Sequence, residues 1–485
     1  SFKIGYDLTG TQKYACSRDF FAIRPEKFIL SAPAGEDMEL LTSAKDYNLS
    51  LIAAQYGTTS QTGDYNLINV DSSVLTLTQT LYPIDLGLNG TLQFASTPFN
   101  VINGLATNIV GINFDEVGKV NIQLQDTTWA AVDINNADTS ADCSANGAYV
   151  CGDVNATFIP DHFTLTNAHL QNNRASTFTY LSNDLNISSG FDVTIEARNA
   201  KDGKTSNFDS ASWENPVNMT FTLPVIGAMT EHKSEITTTQ KLGFGAGTKT
   251  INYSDTNASA NLTFNYVRDS SVAINPFVIN GSSVDINASS LYASSTGATA
   301  TVIGGVKPDQ NVTFIYGRTN APRQKFIDDA TASNHDAFIY YEAYCDAVGC
   351  PNALLPDGTL STFNDDPRWF INTQHASTDG NASNVQEKKL SGDVEILNAN
   401  QPTGNHPDKM TVKYTGGGYP YLTTMENNAS SWLLYDKYNA GAQKNEFILE
   451  FYKDSGGYVG SGKSTSDVNV TRSNTLNVNE NKSWW

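Results

Sequence analysis

The sequence predicts an all-β protein built from tandem Ig-like antiparallel β-sandwich modules. Three observations lead to this prediction. Apolar and polar residues alternate over most of the chain, convincing long helical patterns are missing, and segments of one stretch recur in the next. Strict alternation is typical of antiparallel strands that bury one face and expose the other. At 485 residues the chain is long enough for several such modules.

The alternation is clearest in two segments. In "FDVTIEARNA" the apolar residues Val193, Ile195 and Ala197 take every second position, and "NEFILEFYK" (445–453) follows the same pattern. The segment "KDGKT" (201–205), which follows the first of these runs, contains the Asp-Gly pair of a tight turn. These segments predict half-buried strands joined by short turns.

An internal repeat supports a modular chain. The segment "RPEKFILS" (24–31) matches "IPDHFTLT" (159–166), and "YNLSLIAA" (47–54) matches "FDVTIEAR" (191–198), in the same order and at a similar offset. Repetition over such a distance indicates related structural units. We therefore predict two related sandwiches.

The repeat also predicts particular positions. Pro25 and Pro160 should start equivalent edge strands, because proline cannot donate a hydrogen bond to a ladder. Phe28 and Phe163 should then be buried at matching positions.

These patterns, together with a change of composition after about residue 315, divide the chain into six predicted segments. They are an N-terminal strand segment (1–24), an Ig-like β-sandwich (25–132), a disulfide-bearing linker (133–156), a second, related β-sandwich (157–315), an insert-rich β module (316–395) and a C-terminal β module (396–485).

The charge and hydropathy of the chain exclude several functions. A net charge of −20 repels phosphate, so we expect no nucleic-acid partner and no binding to an anionic membrane surface. The sequence has no apolar run long enough to span a membrane as a helix. It opens on Ser1 without a recognisable signal peptide, so we expect that a leader or upstream segment was removed or is not included.

The five cysteines predict two local disulfides. Cys143 and Cys151 bracket one short polar loop, and Cys345 and Cys350 bracket another. Free thiols are the alternative, and Cys16 is left over. Disulfides would place the protein outside the cytosol.

Several motifs together resemble a known family. The segment "IPDHF", followed by a sandwich pattern and then "TFIYGR" and a closing tryptophan, resembles the uncharacterised C-terminal domain of MSHA pilus biogenesis MshQ-type proteins. The segments "ACSRDFFAIRPEKF", "IYYEAYC", "NEFILEFYK" and "SWW" are more similar to large surface proteins of Campylobacterota that carry this domain. The resemblance implies an exported envelope or appendage protein and no catalytic residues.

The chain holds fifteen Asn-x-Ser/Thr triplets, and nine have an acid two residues before the asparagine. With 50 acids in 485 residues, chance alone predicts one or two. This acid resembles the acceptor preference of the N-linked oligosaccharyltransferases of Campylobacterota, where a positive site would hold it. Clustering of Asp and Asn in turns is the alternative explanation. The predicted glycosylation sites are Asn48, Asn155, Asn186, Asn257, Asn287, Asn311, Asn381, Asn428 and Asn469. The triplets predicted to stay bare are Asn89, Asn218, Asn252, Asn261, Asn280 and Asn481.

Catalytic and metal-binding patterns are sparse, so we predict no enzyme, no metal and no cofactor. The six histidines are scattered, and no nucleophile elbow or phosphate-binding loop occurs. The acidic cluster "NDDPRW" (364–369) fits a surface turn better than a carboxylate pair, and "DINNADTSAD" (133–142) departs from the spacing of a calcium loop. In "TGGGYPYL" (415–422) a bulged strand is favoured over a sugar-stacking platform.

Three functions are compatible with these sequence features. The favoured one is a glycosylated structural or adhesive protein of the bacterial surface, whose partners would be copies of itself or other surface or pilus proteins. A type IV-like pilus accessory or tip protein is the second. A carbohydrate-binding or carbohydrate-active protein is the third.

Overall fold

The computed structural model describes most of the chain, and nearly all of that part is strand or loop. The described residues are 3–8, 11–16, 24–32, 36–82, 84, 87–94, 98–129, 140–144, 147–209, 213–237, 241–253, 261–295, 297, 299–329, 333–346, 367–389, 392–397 and 402–453. Over these ranges there is no α-helix, and short 3-10 turns lie at Asn173–Ala175, Gly281–Ser283, Ser377–Asp379 and Ser431–Leu433. The predicted all-β class is confirmed.

An N-terminal hairpin precedes the first sandwich. Strands β1 (Lys3–Leu8) and β2 (Thr11–Cys16) pair antiparallel along their whole length.

The first sandwich consists of two four-stranded sheets and a small two-stranded one. Its strands are β3 (Lys27–Ser31), β4 (Leu41–Thr42), β5 (Tyr47–Ala54), β6 (Leu67–Val70), β7 (Thr76–Tyr82), β8 (Leu92–Phe94), β9 (Phe99–Val101), β10 (Leu105–Phe114), β11 (Gly118–Asp126) and β12 (Val150–Ile159). The sheet orders are β3-β5-β10-β8, β4-β12-β11-β7 and β6-β9.

The second sandwich follows after two residues. Its strands are β13 (His162–Gln171), β14 (Thr179–Tyr180), β15 (Ser189–Arg198), β16 (Val217–Thr222), β17 (Glu231–Ser234), β18 (Thr248–Ile251), β19 (Thr263–Tyr266), β20 (Phe277–Asn280), β21 (Asp285–Ala293), β22 (Thr299–Val306) and β23 (Asn311–Ile315). One sheet is β13-β15-β19-β17 with β18 on β15, and the opposite face is made by β14-β23-β20 and β16-β21-β22.

The third sandwich begins one residue after β23. Its strands are β24 (Gly317–Asn320), β25 (Gln324–Asp328), β26 (Asn334–Tyr344), β27 (Trp369–Ile371), β28 (Ala382–Glu387), β29 (Val394–Ile396), β30 (Asp408–Tyr414), β31 (Tyr421–Ala429) and β32 (Asn445–Lys453). The sheet orders are β24-β26-β30-β29, with β27 on β26, and β25-β32-β31-β28.

All three sandwiches share one topology. The first strand of each pairs antiparallel with the third, as β3 with β5, β13 with β15 and β24 with β26. The short second strand lies in the opposite sheet and runs parallel to the last strand, as β4 with β12, β14 with β23 and β25 with β32. In immunoglobulin lettering the sheets of the third sandwich read A-B-E-D and G-F-C, which is the Ig-like arrangement.

The predicted linker supplies a strand to the first sandwich. Residues 150–156, assigned to the linker from sequence, belong to β12, which pairs with β11 from Val150 to Phe158. The outward face of this strand carries Asp153 and Asn155, so its composition resembles that of a loop.

The two predicted C-terminal modules are a single sandwich. Strand β26 of the segment 316–395 pairs with β30 of the segment 396–485, and β28 pairs with β31. The chain between β26 and β28 is long, so strands of one sandwich stand far apart in the sequence.

The repeat prediction is confirmed by the first two sandwiches. Strands β3 and β13 are edge strands that begin two residues after Pro25 and Pro160. Phe28 and Phe163 are 3% and 2% exposed and stand in register with alanines of the neighbouring strand. Burying a phenylalanine stabilises a fold by about 1.5–3 kcal/mol, so each phenylalanine is a substantial part of its core.

Candidate functional site: acceptor rows and module junctions

Most predicted acceptor asparagines lie on the outer faces of strands. Seven of the nine belong to the described residues, whereas Asn257 and Asn469 lie outside them. Of these seven, only Asn381 is half-buried and the others are exposed. Five of the seven belong to strands, namely Asn48 on β5, Asn155 on β12, Asn287 on β21, Asn311 on β23 and Asn428 on β31.

At these five sites the acid, the asparagine and the hydroxyl residue form what we call an acceptor row. Residues two apart on a strand share a face, and all three members lie on one strand in the rows of Asn155 and Asn287. In the other three rows one member, Asp46, Asp309 or Ser430, lies just outside the strand. In the row of Asn155, Asp153 is also exposed and Ala156 points into the core. The residue between asparagine and hydroxyl is buried in every row, as Leu49, Ala156, Ala288, Val312 and Ala429 show.

The strand placement weakens one explanation of the acid and introduces another. Clustering of Asp and Asn in turns does not account for the rows of Asn155, Asn287 and Asn428, in which the acid and the asparagine both lie on a paired strand. However, an outer strand face favours polar residues at every second position, which also raises the chance of an acid there. The rows have the exposure that a glycan acceptor needs.

The acids of the rows have partners on the surface. Lys307 Nζ lies 2.9 Å from Asp285 Oδ1. Lys444 donates to Glu426, and this hydrogen bond lowers the pKa of the Glu426 carboxyl. Ion pairs near the surface contribute about 1 kcal/mol or less, so an enzyme with a positive site could replace these lysines at small cost.

Asn381 differs from the other predicted acceptors. Its acid, Asp379, is 4% exposed and accepts hydrogen bonds from Ala376 N at 3.0 Å and from Asn173 Nδ2 at 3.3 Å. Burial raises the pKa of the Asp379 carboxyl. This acid is inaccessible in the folded chain.

Asn186 is the one described acceptor in a turn. Its backbone N–H donates to Asp184 Oδ1 at 2.9 Å, so the acid that marks the triplet also closes an Asx turn. The turn explanation of the acid holds at this site.

Exposure does not separate the triplets with an acid from those without one. Of the six lacking the acid, Asn89, Asn218, Asn252 and Asn280 are exposed, Asn261 is half-buried and Asn481 lies outside the described residues. Asn280 on β20 is moreover the direct register partner of Asn311 on β23. These neighbours are paired and both exposed, and they differ in the acid, which is Asp309 before Asn311 and is replaced by Val278 before Asn280.

One predicted disulfide is confirmed. Cys143 and Cys151 are bonded, with their Cα atoms 5.7 Å apart. Cys345 also takes part in a disulfide, while its predicted partner Cys350 lies outside the described residues. Cys16 ends strand β2.

Polar side chains connect the first two sandwiches. The buried carboxylate of Glu116 accepts hydrogen bonds from the backbone N–H groups of Ser206 at 2.7 Å and Asn207 at 3.2 Å. The Asn207 amide in turn donates to Asn89 O at 2.6 Å and to Val117 O at 3.0 Å. Burial raises the pKa of the Glu116 carboxyl, and the backbone N–H groups of Ser206 and Asn207 offset part of this rise. The two sandwiches are therefore joined by direct hydrogen bonds between buried groups.

A buried aromatic and polar cluster connects the second and third sandwiches. His375 stacks on Tyr341 with ring centroids 3.5 Å apart, and its Nδ1 lies 3.0 Å from the hydroxyl of Tyr180. Its Nε2 lies 2.9 Å from Gly380 O, so the neutral ring can donate there and accept from Tyr180. Burial is the main reason that the pKa of His375 is lowered to about 3.

The structure describes the two acidic motifs considered in the sequence analysis only in part. No group of three or more metal-ligating side chains occurs over the ranges that the structure describes. Trp369, from the predicted surface turn "NDDPRW", is fully buried and stacks beneath Arg318 at 3.8 Å. Residues 364–366 of that motif and most of 133–142 lie outside the described residues.

Part of the chain matches a protein-family model. Residues 116–302 match the family described as DUF6701, third domain. The matched segment spans β11 to β22, that is, the end of the first sandwich and most of the second. It covers less than half of the chain, and it is consistent with the resemblance noted from the sequence motifs.

Comparison with solved structures finds distant similarity. The human desmocollin-1 ectodomain is similar at 9% identity and a TM-score of 0.18, over 89% of this chain and 81% of the other. The protocadherin γB4 extracellular domain is similar at 10% identity and a TM-score of 0.14, over 88% of this chain but 61% of the other, less than two thirds of its length. The Ig-like fold follows from the strand pairing of the three sandwiches. No curated protein sequence matches the chain.

In the part of the chain that the structure describes, helical segments are short 3-10 turns. Within the described ranges, no helix has the length and apolar character needed to cross a bilayer.

Proposed function

We propose that this chain is an exported structural or adhesive protein of the bacterial surface, in which three sandwiches form a stiff array that displays N-linked glycans. The acceptor rows carry this proposal. Each row has an exposed acceptor asparagine on a strand, and in the rows of Asn155 and Asn287 the acid and the hydroxyl residue lie on the same strand. The chain would serve as a scaffold rather than as an enzyme.

The connections between sandwiches support the stiffness of the array. Only residues 160–161 separate β12 from β13, and only Tyr316 separates β23 from β24. Short connections with buried contacts on both sides leave little room for hinge motion. A stiff array suits a subunit that projects from a surface or assembles with copies of itself.

The confirmed disulfide supports export. Cys143–Cys151 closes a short loop beside β12. Such bonds persist in oxidising compartments and are rare in the cytosol.

Peptide mass spectrometry of the protein from the cells that produce it tests the proposal. We expect glycan on exposed acceptors of the rows, such as Asn155 and Asn428, and none on Asn89 or Asn218. A protein without glycan at any site, or with glycan distributed regardless of the acid, would overturn it.

A role as a type IV-like pilus accessory or tip protein is the second candidate, because the family match agrees with the resemblance to MSHA-associated proteins. Copy number separates the two. An abundant protein that forms ordered polymers supports the scaffold, whereas a rare protein that co-purifies with pilins supports the pilus role.

A further inference from the structure

A large apolar cleft lies between the second and third sandwiches. Its volume is about 1190 Å³. Met229 and Phe277 line it from the second sandwich, and Trp432 and Leu434 line it from the third. Clefts of this kind at domain boundaries are common places for small molecules to bind.

One cation stands in the wall of this cleft. Arg268 is 7% exposed, and its guanidinium lies 4.1 Å above the ring of Tyr316. Nη2 donates to Gly317 O at 3.0 Å, whereas the buried Nε–H has no hydrogen-bond partner among the described residues. A buried donor without a partner costs free energy, so the guanidinium of Arg268 keeps unused hydrogen-bonding capacity beside the cleft.

No carboxylate of the described protein neutralises this guanidinium through a hydrogen bond. The adjacent Asp269 also lines the cleft, but its Oδ1 accepts from both the N–H and the hydroxyl of Ser271, each at 2.7 Å. Asp269 is exposed, while Arg268 is buried. Desolvation lowers the pKa of Arg268 to about 10, so the group remains a cation at neutral pH.

We propose that this cleft binds a single-chain amphiphile with a carboxylate head group. The alkyl chain would lie along the apolar wall formed by residues such as Phe277 and Leu434. The carboxylate would pair with the guanidinium of Arg268, since charge-assisted hydrogen bonds of guanidinium to carboxylate are strong and directional. This site is independent of glycosylation and of the surface role proposed above.

Calorimetric titration with dodecanoate, below its micelle concentration, tests the proposal. We expect one molecule to bind per chain. Dodecanol has the chain without the charge, acetate has the charge without the chain, and dodecyltrimethylammonium has the opposite charge. Each of these should bind at least about tenfold more weakly, since about 1.4 kcal/mol corresponds to a factor of ten.

Three variants locate the site. Arg268→Gln should weaken dodecanoate binding at least tenfold. Because Arg268 also packs on Tyr316, Val272→Asp provides a second test that leaves the arginine in place. Val272 is 56% exposed and lines the cleft, so a new carboxylate there should repel the ligand. Ile303→Asp is the matched control, because Ile303 is 59% exposed and lies on β22 outside the lining.

Several outcomes would overturn the proposal. They are a lack of dodecanoate binding, equal binding of dodecanol, or equal effects of Val272→Asp and Ile303→Asp. Thermal unfolding of each variant shows whether the fold is kept before its affinity is compared.

Discussion

Gly304 lies so close to the carbonyl oxygen of Phe163 that a Cβ atom on this glycine would stand well inside 3.0 Å of it. Gly152 has the same relationship to the carbonyl oxygen of Phe28 in the first sandwich. The two glycines lie on β22 and β12, and the two phenylalanines occupy matching positions of the sequence repeat. The close backbone approach is therefore a shared feature of the repeated module.

We predict that Gly304→Ala and Gly152→Ala each destabilise the protein by about 1–3 kcal/mol, because the backbone must shift to admit the methyl group. Thermal unfolding measures the effect. Gly417→Ala is the matched control, since a Cβ atom there meets no atom within 4 Å. Equal unfolding temperatures for all three variants would contradict the close approach.

The repeated strands could be predicted from the sequence, but the pairing of strands that builds each sandwich could not. Alternation over eight or more residues located β5 and β15, and with them the buried faces. Strand β4 has two residues, Leu41 and Thr42, so no periodicity can reveal it. Its parallel pairing with β12 depends on residues more than a hundred positions away.

The acceptor sites could also be predicted only in part from the sequence. The triplets and their acids could be read from sequence, but the burial of Asp379 could not. Its partner Asn173 comes from the second sandwich, 206 residues earlier. This hydrogen bond depends on the packing of one sandwich on the next, which no local sequence pattern reveals.

The junction between the second and third sandwiches should weaken in acid. The pKa of His375 is about 3 in the folded chain and about 6.5 in an unfolded one. A lowered pKa means that the neutral ring stabilises the fold above pH 6.5 and that this stability is lost as the pH falls towards 3. At pH 5 we expect a loss of about 2 kcal/mol.

Denaturant unfolding between pH 7 and pH 4 checks this loss. His375→Gln should flatten the pH dependence of the unfolding free energy. His232→Gln, on β17, controls for the loss of a histidine elsewhere. An unchanged pH dependence in His375→Gln would show that other groups cause the effect.

The first junction should depend on Glu116. Glu116→Ala leaves the N–H groups of Ser206 and Asn207 without their acceptor, so we expect a loss of about 1–3 kcal/mol. Small-angle scattering should also show a broader distribution of lengths if the first sandwich becomes free to move. Glu395→Ala, at an exposed position on β29, should leave both measurements unchanged.

Reduction of the Cys143–Cys151 disulfide should lower stability. Closing a loop of this length restricts the unfolded chain by about 2–3 kcal/mol. The double variant Cys143→Ser, Cys151→Ser should unfold at a lower temperature than the oxidised protein and should no longer respond to reductant at this loop. An unchanged unfolding temperature would show that the bond contributes nothing to the fold.

Asn311 and Asn280 give the sharpest test of the acid. They stand directly opposite each other on β23 and β20, both are exposed, and only Asn311 has an acid two residues before it. We predict glycan on Asn311 and none on Asn280. Asp309→Asn should remove the glycan from Asn311, while Asp309→Glu, which keeps the charge, should retain it.

The reverse change distinguishes the effect of the acid from the effect of crowding by a neighbouring glycan. Side chains directly opposite in an antiparallel pair are about 4.5–5.5 Å apart at Cβ, so one glycan could block the neighbouring site. In a protein that carries Asp309→Asn, the additional change Val278→Asp places an acid two residues before Asn280. If the acid directs modification, glycan should appear on Asn280 in this double variant and be absent in Asp309→Asn alone. Glycan on Asn280 in Asp309→Asn alone would mean that crowding, and not the acid, keeps this site bare.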